Sequence, residues 1–446
     1  MAPPTVEGDQ PTAPGGSMAT TRAPGTQAAP AWRGGFGRLW GAAVVSSFGD
    51  SLRKTALPLL AAALTTDPLL IAAVTACGQL PWLLFGLLGG TLADRVDQRR
   101  AMWAVDAVRA LLMGGFALAV ALGHASIALL LAVAFTLTTL QTLFDNAATA
   151  LLPSLVPTET LAGANARLMT GQQIAGGILA APLVPALLLA GPAMPYVSDA
   201  ATYLVAALLI ASLRTDPPAR PPRPAGATLR AGMAEGIRAL RRDDTLRRLC
   251  TATTLCNIGM GALIATLVLH VTGWLSAGNT GYAAALTAYA LGGVAGGAVA
   301  RRIAQRLGRI RTVTLAGALQ TGCLLAMGAV QALWVTIAAM ALFGSMGLVW
   351  NVNQVTLMQE RSPDGMLGRI SAAFRTLAVA GAPLGALAAG AVAAAWGPNT
   401  PALLAAGCFA LAVASLTPLD QLGWSGSGAK QTGEKEEVGD VRDEHR

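Results

Sequence analysis

The sequence predicts an all-α membrane protein, with twelve transmembrane helices in two six-helix bundles related by a pseudo-twofold axis along the membrane normal. Three observations carry that expectation. Of 446 residues, 54% are hydrophobic and only 12% are charged, whereas a soluble globular protein carries about 25% charged residues. The apolar residues gather into runs of the roughly 20 that a membrane helix needs. Among the connections between those runs, Lys and Arg occur only in every second one.

Mean hydropathy is +0.54. The first six runs centre on 39–64, 68–91, 101–122, 126–150, 165–190 and 194–213. The second six centre on 248–272, 281–300, 310–330, 332–354, 367–394 and 399–417. The connection after run 2 holds Arg95, Arg99 and Arg100, and nine arginines lie between Arg214 and Arg248. Arg301, Arg302, Arg306, Arg309 and Arg311 follow run 8, and Arg361 and Arg369 follow run 10. TTDP, GHAS, GPAMP, GWLSAGNTG, the turn around Gln331 and WGPNT contain no Lys or Arg. By the positive-inside rule this alternation places both termini in the cytoplasm of a multi-pass cell-membrane protein. It also accounts for the net charge of +8 without a nucleic-acid partner.

The boundaries follow. Residues 1–35, rich in Pro, Ala, Gly and Thr, and 419–446 read as disordered cytoplasmic tails. Residues 36–214 and 248–418 are the two bundles. Residues 215–247 form a basic linker whose Pro-rich start cannot be helix interior. Its end, GMAEGIRALRRDDTLRR, reads as a short amphipathic helix on the inner leaflet. The five cysteines are scattered singly, so neither a disulfide framework nor a metal site is expected. GGVAGG at 292–297 follows no strand and lacks a Lys-Ser/Thr ending, which excludes a phosphate-cradling loop. No cofactor is expected.

The two halves repeat. GGTLADRVDQR at 89–99 aligns with GGAVARRIAQR at 296–306, with Arg301 opposite Asp94. SLVPTETLAGANAR aligns with ERSPDGMLGRISAA at nearly the same offset, pairing Pro157 with Pro363 and Leu161 with Leu367. Six runs per unit give both units one orientation, with a site near the midplane between them.

Ionisable residues inside the runs are costly and are candidate functional groups. Asp50, Arg53 and Lys54 sit roughly 18–24 Å from the inner end of run 1, where Asp50 can reach either cation. They are read as a substrate or proton site, and their net positive charge favours an anionic or zwitterionic cargo. Asp106 and Arg109 read as a structural pair, and Asp145 as a partner for a loop arginine. Asp199, placed in the outer part of run 6, is a candidate proton carrier. Arg375, about 12–14 Å from the inner end of run 11, is a candidate anion partner. Gln141, Asn351 and Asn353 are polar enough to line a cavity, and His270 reads as interfacial.

Gly90, Asp94, Arg95, Arg99 and Arg100 match Gly-x-x-x-Asp-Arg-x-Gly-x-Arg-Arg, the loop after span 2 of the major facilitator superfamily, which the chain resembles over about residues 36–418. Asp97 stands where that family has its second glycine. LFDNAATALLPSLVPTETLAGANAR and VNQVTLMQERSPDGMLGRISAAFR further resemble its enterobactin-exporter and macrolide-efflux branch. The resemblance implies proton-driven export of a small drug-like or secondary-metabolite molecule by alternating access, with a monomer, its substrate, protons and lipids as the participants. It makes residues 90–100 a cytoplasmic gate in which Asp94 meets the start of span 11. Gly171, Gly176, Gly177 and Ala181-Pro182 resemble a degenerate span 5 antiporter signature. Competing readings are an importer of a small anionic or zwitterionic metabolite and a non-transporting receptor. A membrane-embedded enzyme would need clustered His and Asp or a nucleophile, which the sequence lacks.

Overall fold

The computed structural model describes residues 35–85, 97–157, 160–213, 229–363 and 365–433. Gly90, Asp94 and Arg95, the tail before residue 35 and the Pro-rich start of the linker lie outside the described residues. Within them the secondary structure is helical throughout, with no strand.

The first half holds α1 (Gly35–Leu64), α2 (Pro68–Cys77), α3 (Leu80–Phe85), α4 (Gln98–Ala121), α5 (Ile127–Leu151), α6 (Leu161–Gln172), α7 (Ala181–Ala190) and α8 (Met194–Ala211). The second holds α9 (Leu229–Arg242), α10 (Asp244–Val268), α11 (Gly278–Leu307), α12 (Arg309–Ala329), α13 (Leu333–Arg361), α14 (Leu367–Val379), α15 (Gly381–Trp396) and α16 (Thr400–Gly433). The described residues hold ten helices long and apolar enough to cross a membrane. The protein is therefore a multi-pass membrane protein. The first run falls on α1, with Asp50, Arg53 and Lys54 inside it. The second falls on α2 and α3 and continues into residues outside the description.

Local chemistry sets the helix ends. Asp67, Asp97, Ser126 and Asp243 cap α2, α4, α5 and α10 by accepting a first-turn amide, which satisfies one orphan donor each. Asp97 therefore takes up a defined task where the resembling family has glycine. α6 and α7 are joined by π-helical turns over Gln173–Ala180. Pro182 and Pro185 follow at once and cannot donate to the preceding carbonyls, which favours a wider turn there.

Packing relies on small residues, as expected where lipid supplies no hydrophobic drive between helices. A Cβ on Gly261 would overlap the Ala382 carbonyl, and one on Gly385 would overlap that of Ile258, so α10 and α15 touch backbone to backbone. The two halves meet where Gly390 of α15 faces Pro68, Leu69 and Ala72 of α2, beside a cluster of Ala72, Ala76, Ala265 and Ala386.

The structure adds three details. α9 docks on α14, with Gly236 pressed to the Arg369 carbonyl and Glu235 paired with Arg369 at 2.6 Å. Its contact is thus with protein, because the glycine permits close approach. His270 is buried, 3% exposed, with Nε2 3.4 Å from Thr336 Oγ1 and its ring against Trp274. The last helix runs to Gly433, past the boundary at 418 that hydropathy suggests.

Candidate functional site

The site is a buried ionic network on four helices of the first half. Close approach builds it. A Cβ on Gly49 would overlap Thr202 and the Asp199 carboxylate, so this glycine lets α1 settle on α8 and carries its neighbours Asp50 and Arg53 with it. Asp50, Arg53, Asp106, Arg109 and Asp199 are each at most 2% exposed.

Arg109 of α4 is the hub. Its Nη2 donates to Asp50 Oδ1 at 2.6 Å, to Gln141 Oε1 of α5 and to Tyr203 OH of α8 at 2.9 Å. Its Nη1 donates to Asp106 Oδ1 at 2.9 Å and Ser46 Oγ at 3.2 Å. The guanidinium carbon also lies 3.9 Å from the centre of the Tyr203 ring, a cation–π contact. Asp50 Oδ1 additionally accepts from Arg53 Nη2 at 2.9 Å and Tyr203 OH at 2.6 Å. Arg53 Nε lies 3.4 Å from Asp199 Oδ2. One carboxylate oxygen thus gathers groups from three helices.

The fully buried part holds three carboxylates, Asp50, Asp106 and Asp199, against two guanidiniums, Arg53 and Arg109. Asp106 Oδ2 and both oxygens of Asp199 accept no hydrogen bond among the described residues. Buried charges need partners. The fully buried groups thus hold one acid more than they hold guanidiniums.

Two cavities adjoin. One of about 620 Å³ is lined by Ser47 and Ser51 of α1, Gln141 and Asp145 of α5, and Gln172 and Gly176 near the π-helical turns. Gln141 links it to the network, accepting from Arg109 through Oε1 and donating to Asp145 at 3.1 Å through Nε2. The second cavity, about 180 Å³, lies between the halves. Arg53, Lys54, Thr75 and Gln79 line it with Ile264 and Tyr282.

The placement of the predicted residues is uneven. Asp50, Arg53, Asp199 and Gln141 come together. Lys54 is exposed and lines the smaller cavity beside Arg53. Asp199 lies in the first third of α8 (Met194–Ala211), beside Arg53 of α1. Asp145 takes the Gln141 amide, with no loop arginine on it among the described residues. Arg375 and Asn351 are exposed and stand apart, and Asn353 lines a separate cavity in the second half. Of the gate motif, Arg99 donates to the Ile210 and Ala211 carbonyls at the end of α8, and Arg100 pairs with Asp97 at 3.5 Å.

Sequence reasoning missed Arg109 as a site residue and missed Tyr203 entirely. A signal was available: counted from the arginine-rich ends of their helices, Asp50, Arg109, Asp199 and Tyr203 all fall at roughly 12–22 Å of depth.

A family model, Major Facilitator Superfamily, matches residues 39–386. The enterobactin exporter EntS of Escherichia coli O1:K1 is 26% identical over 305 residues, covering 67% of this chain and 71% of the exporter. That of Shigella boydii serotype 18 is 27% identical over 307 residues, with the same shares covered. Among solved structures, the nucleoside transporter NupG matches with a TM-score of 0.68 at 12% identity, over 85% of this chain and 98% of that one. A bacterial homologue of the iron transporter ferroportin, inward-facing, matches with a TM-score of 0.68 at 14% identity, over 86% and 98%. At these identities the structures speak for the fold alone.

Proposed function

This chain belongs to the Major Facilitator Superfamily, and from that premise we propose that it is a proton-coupled exporter of a small drug-like or secondary-metabolite molecule. Twelve spans would form two six-helix bundles in the cell membrane, with α1 and the α2–α3 segment joining the ten apolar helices. The bundles would rock about a site near the midplane. Export as the direction draws on the likeness to the enterobactin exporters.

The observation that carries the coupling is the excess of one carboxylate in the buried network. A proton on Asp199 or Asp106 neutralises the cluster, and its release restores a charge that the surrounding protein must accommodate. Binding and loss of that proton therefore change the interactions between α1, α4 and α8. Such a change, made differently in two states, is what a coupled carrier requires. The 620 Å³ cavity touches the network through Gln141 and is large enough for a small organic molecule.

Lys54 and Arg53 in the cavity between the halves favour a cargo with an anionic or zwitterionic group, whichever direction it travels. Amphipathic dyes and siderophore-like catecholates are the first cargo classes to assay.

The test is accumulation of such a panel in inside-out vesicles, with and without an uncoupler. Uncoupler-sensitive accumulation that disappears in Asp50→Asn supports the reading. Accumulation that ignores the uncoupler would remove proton coupling. Uptake confined to right-side-out vesicles would make the protein an importer.

A further inference from the structure

The second copy of the repeated loop keeps its glycines but exchanges the acid for Arg301. The surroundings of that arginine give it a different task. α11 and α13 lie backbone to backbone: a Cβ on Gly292 would overlap the Ala341 carbonyl, one on Gly296 that of Ser345, and one on Gly344 that of Tyr289. Beyond Gly296, toward the arginine-rich end, the two helices part around a cavity of about 560 Å³ lined by Arg301, Gln305, Arg309, Val352 and Asn353.

The wall of this cavity is a set of donors. Arg301 and Gln305 are exposed to it. Asn353, 1% exposed, gives one amide hydrogen to the Val349 carbonyl and retains the other. α12 starts beside it at Gly308, with φ +80° and no side chain capping its first amides. Its first turn carries Arg309 and Arg311 and no acid, although a helix start ordinarily favours negative charge. The nearby carboxylate of Glu360 pairs with Arg309 at 2.8 Å, and among the described residues no carboxylate pairs with Arg301. An oxyanion would satisfy the arginines and the free amides together. The wall then turns apolar: Val352 is 41% exposed, and Leu348, one turn along α13, is 38% exposed.

We propose that this cavity holds the phosphate headgroup of an anionic phospholipid, with an acyl chain along Leu348 and Val352. The Asp-to-Arg exchange in the second repeat thus makes a lipid site of what is, in the first repeat, an acid-bearing loop. Basic pockets between membrane helices suit such headgroups.

The test uses the full chain in nanodiscs of phosphatidylcholine with increasing phosphatidylglycerol, with retained lipid counted by native mass spectrometry. Phosphatidylglycerol should be retained in preference, and its affinity should fall about fivefold for each of Arg301→Ala and Arg309→Ala. Arg302→Ala, outside the cavity wall, should leave it unchanged. Arg301→Gln serves if the alanine variants lose their wild-type unfolding temperature. Equal retention of the two lipids, or unchanged affinity in folded Arg301 variants, overturns the proposal. Arg301-dependent binding of inorganic phosphate without preference for phosphatidylglycerol also overturns it, in favour of a soluble anion.

Discussion

Arg109 on α4 donates to Asp50 on α1 across 2.6 Å, with the guanidinium inaccessible and the carboxylate nearly so. The pair joins the two helices, and the same guanidinium reaches Gln141 on α5 and Tyr203 on α8. Removing either charge strands the other. Arg109→Ala should destabilise the protein by about 3–5 kcal/mol, read as a lower unfolding temperature in detergent. Arg109→Lys should recover little, because a single ammonium cannot reproduce the planar fork that serves several acceptors. Full recovery by lysine would show that charge alone matters here.

Asp199 behaves differently, because its oxygens accept no hydrogen bond. Asp199→Asn keeps the shape and removes the excess charge, so the unfolding temperature should hold or rise. Uncoupler-sensitive accumulation should disappear while substrate exchange across the membrane persists. Loss of both activities in a folded variant would place Asp199 in cargo binding instead. Asp106→Asn is the comparison, and it should be the costlier change, since Asp106 Oδ1 accepts from Arg109 at 2.9 Å.

The helix crossings predict a sharp contrast between glycines. Gly296→Ala drives a methyl into the Ser345 carbonyl, whereas Gly322 has nothing within 4 Å of an added Cβ. Gly296→Ala should cost about 1–3 kcal/mol and lower the yield of folded protein. Gly322→Ala should be neutral or slightly stabilising. Equal effects in a thermal-shift assay would remove close approach as the basis of the α11–α13 contact.

The docking of α9 can be divided in the same way. Glu235 and Arg369 are both exposed, so Glu235→Gln should change stability by less than about 1 kcal/mol. Gly236→Val, against the Arg369 carbonyl, should lift α9 from α14. The readout is faster cleavage by a protease within Leu229–Arg242, with the rest of the chain intact.

Much of the fold is legible in the sequence because the membrane imposes a one-dimensional rule. Apolar length and the placement of Lys and Arg locate helices that need no knowledge of their neighbours. Asp67, Asp97 and Asp243 likewise announce helix starts locally. The site is less legible. Spacing along α1 shows that Asp50 can reach Arg53, but it is equally satisfied by Lys54, and only packing pairs Asp50 with Arg53. The step from Asp50 to Arg109 crosses 59 positions and depends on how α1 and α4 rotate about their axes. That rotation is set by contacts such as Gly49 on Thr202, which periodicity does not encode. Tyr203 escaped because a tyrosine in an apolar run resembles core until its hydroxyl is seen against a carboxylate.

Three buried acids facing two buried bases also determine what an electric field can act on. On the proposed coupling, the empty cluster would carry one uncompensated negative charge. With its proton it carries none. A membrane potential does work of about 2.3 kcal/mol per elementary charge per 100 mV, so through this cluster it biases the empty carrier and leaves the protonated one indifferent. Voltage would set the pace of one half of the cycle, and the proton concentration on either side the pace of the other.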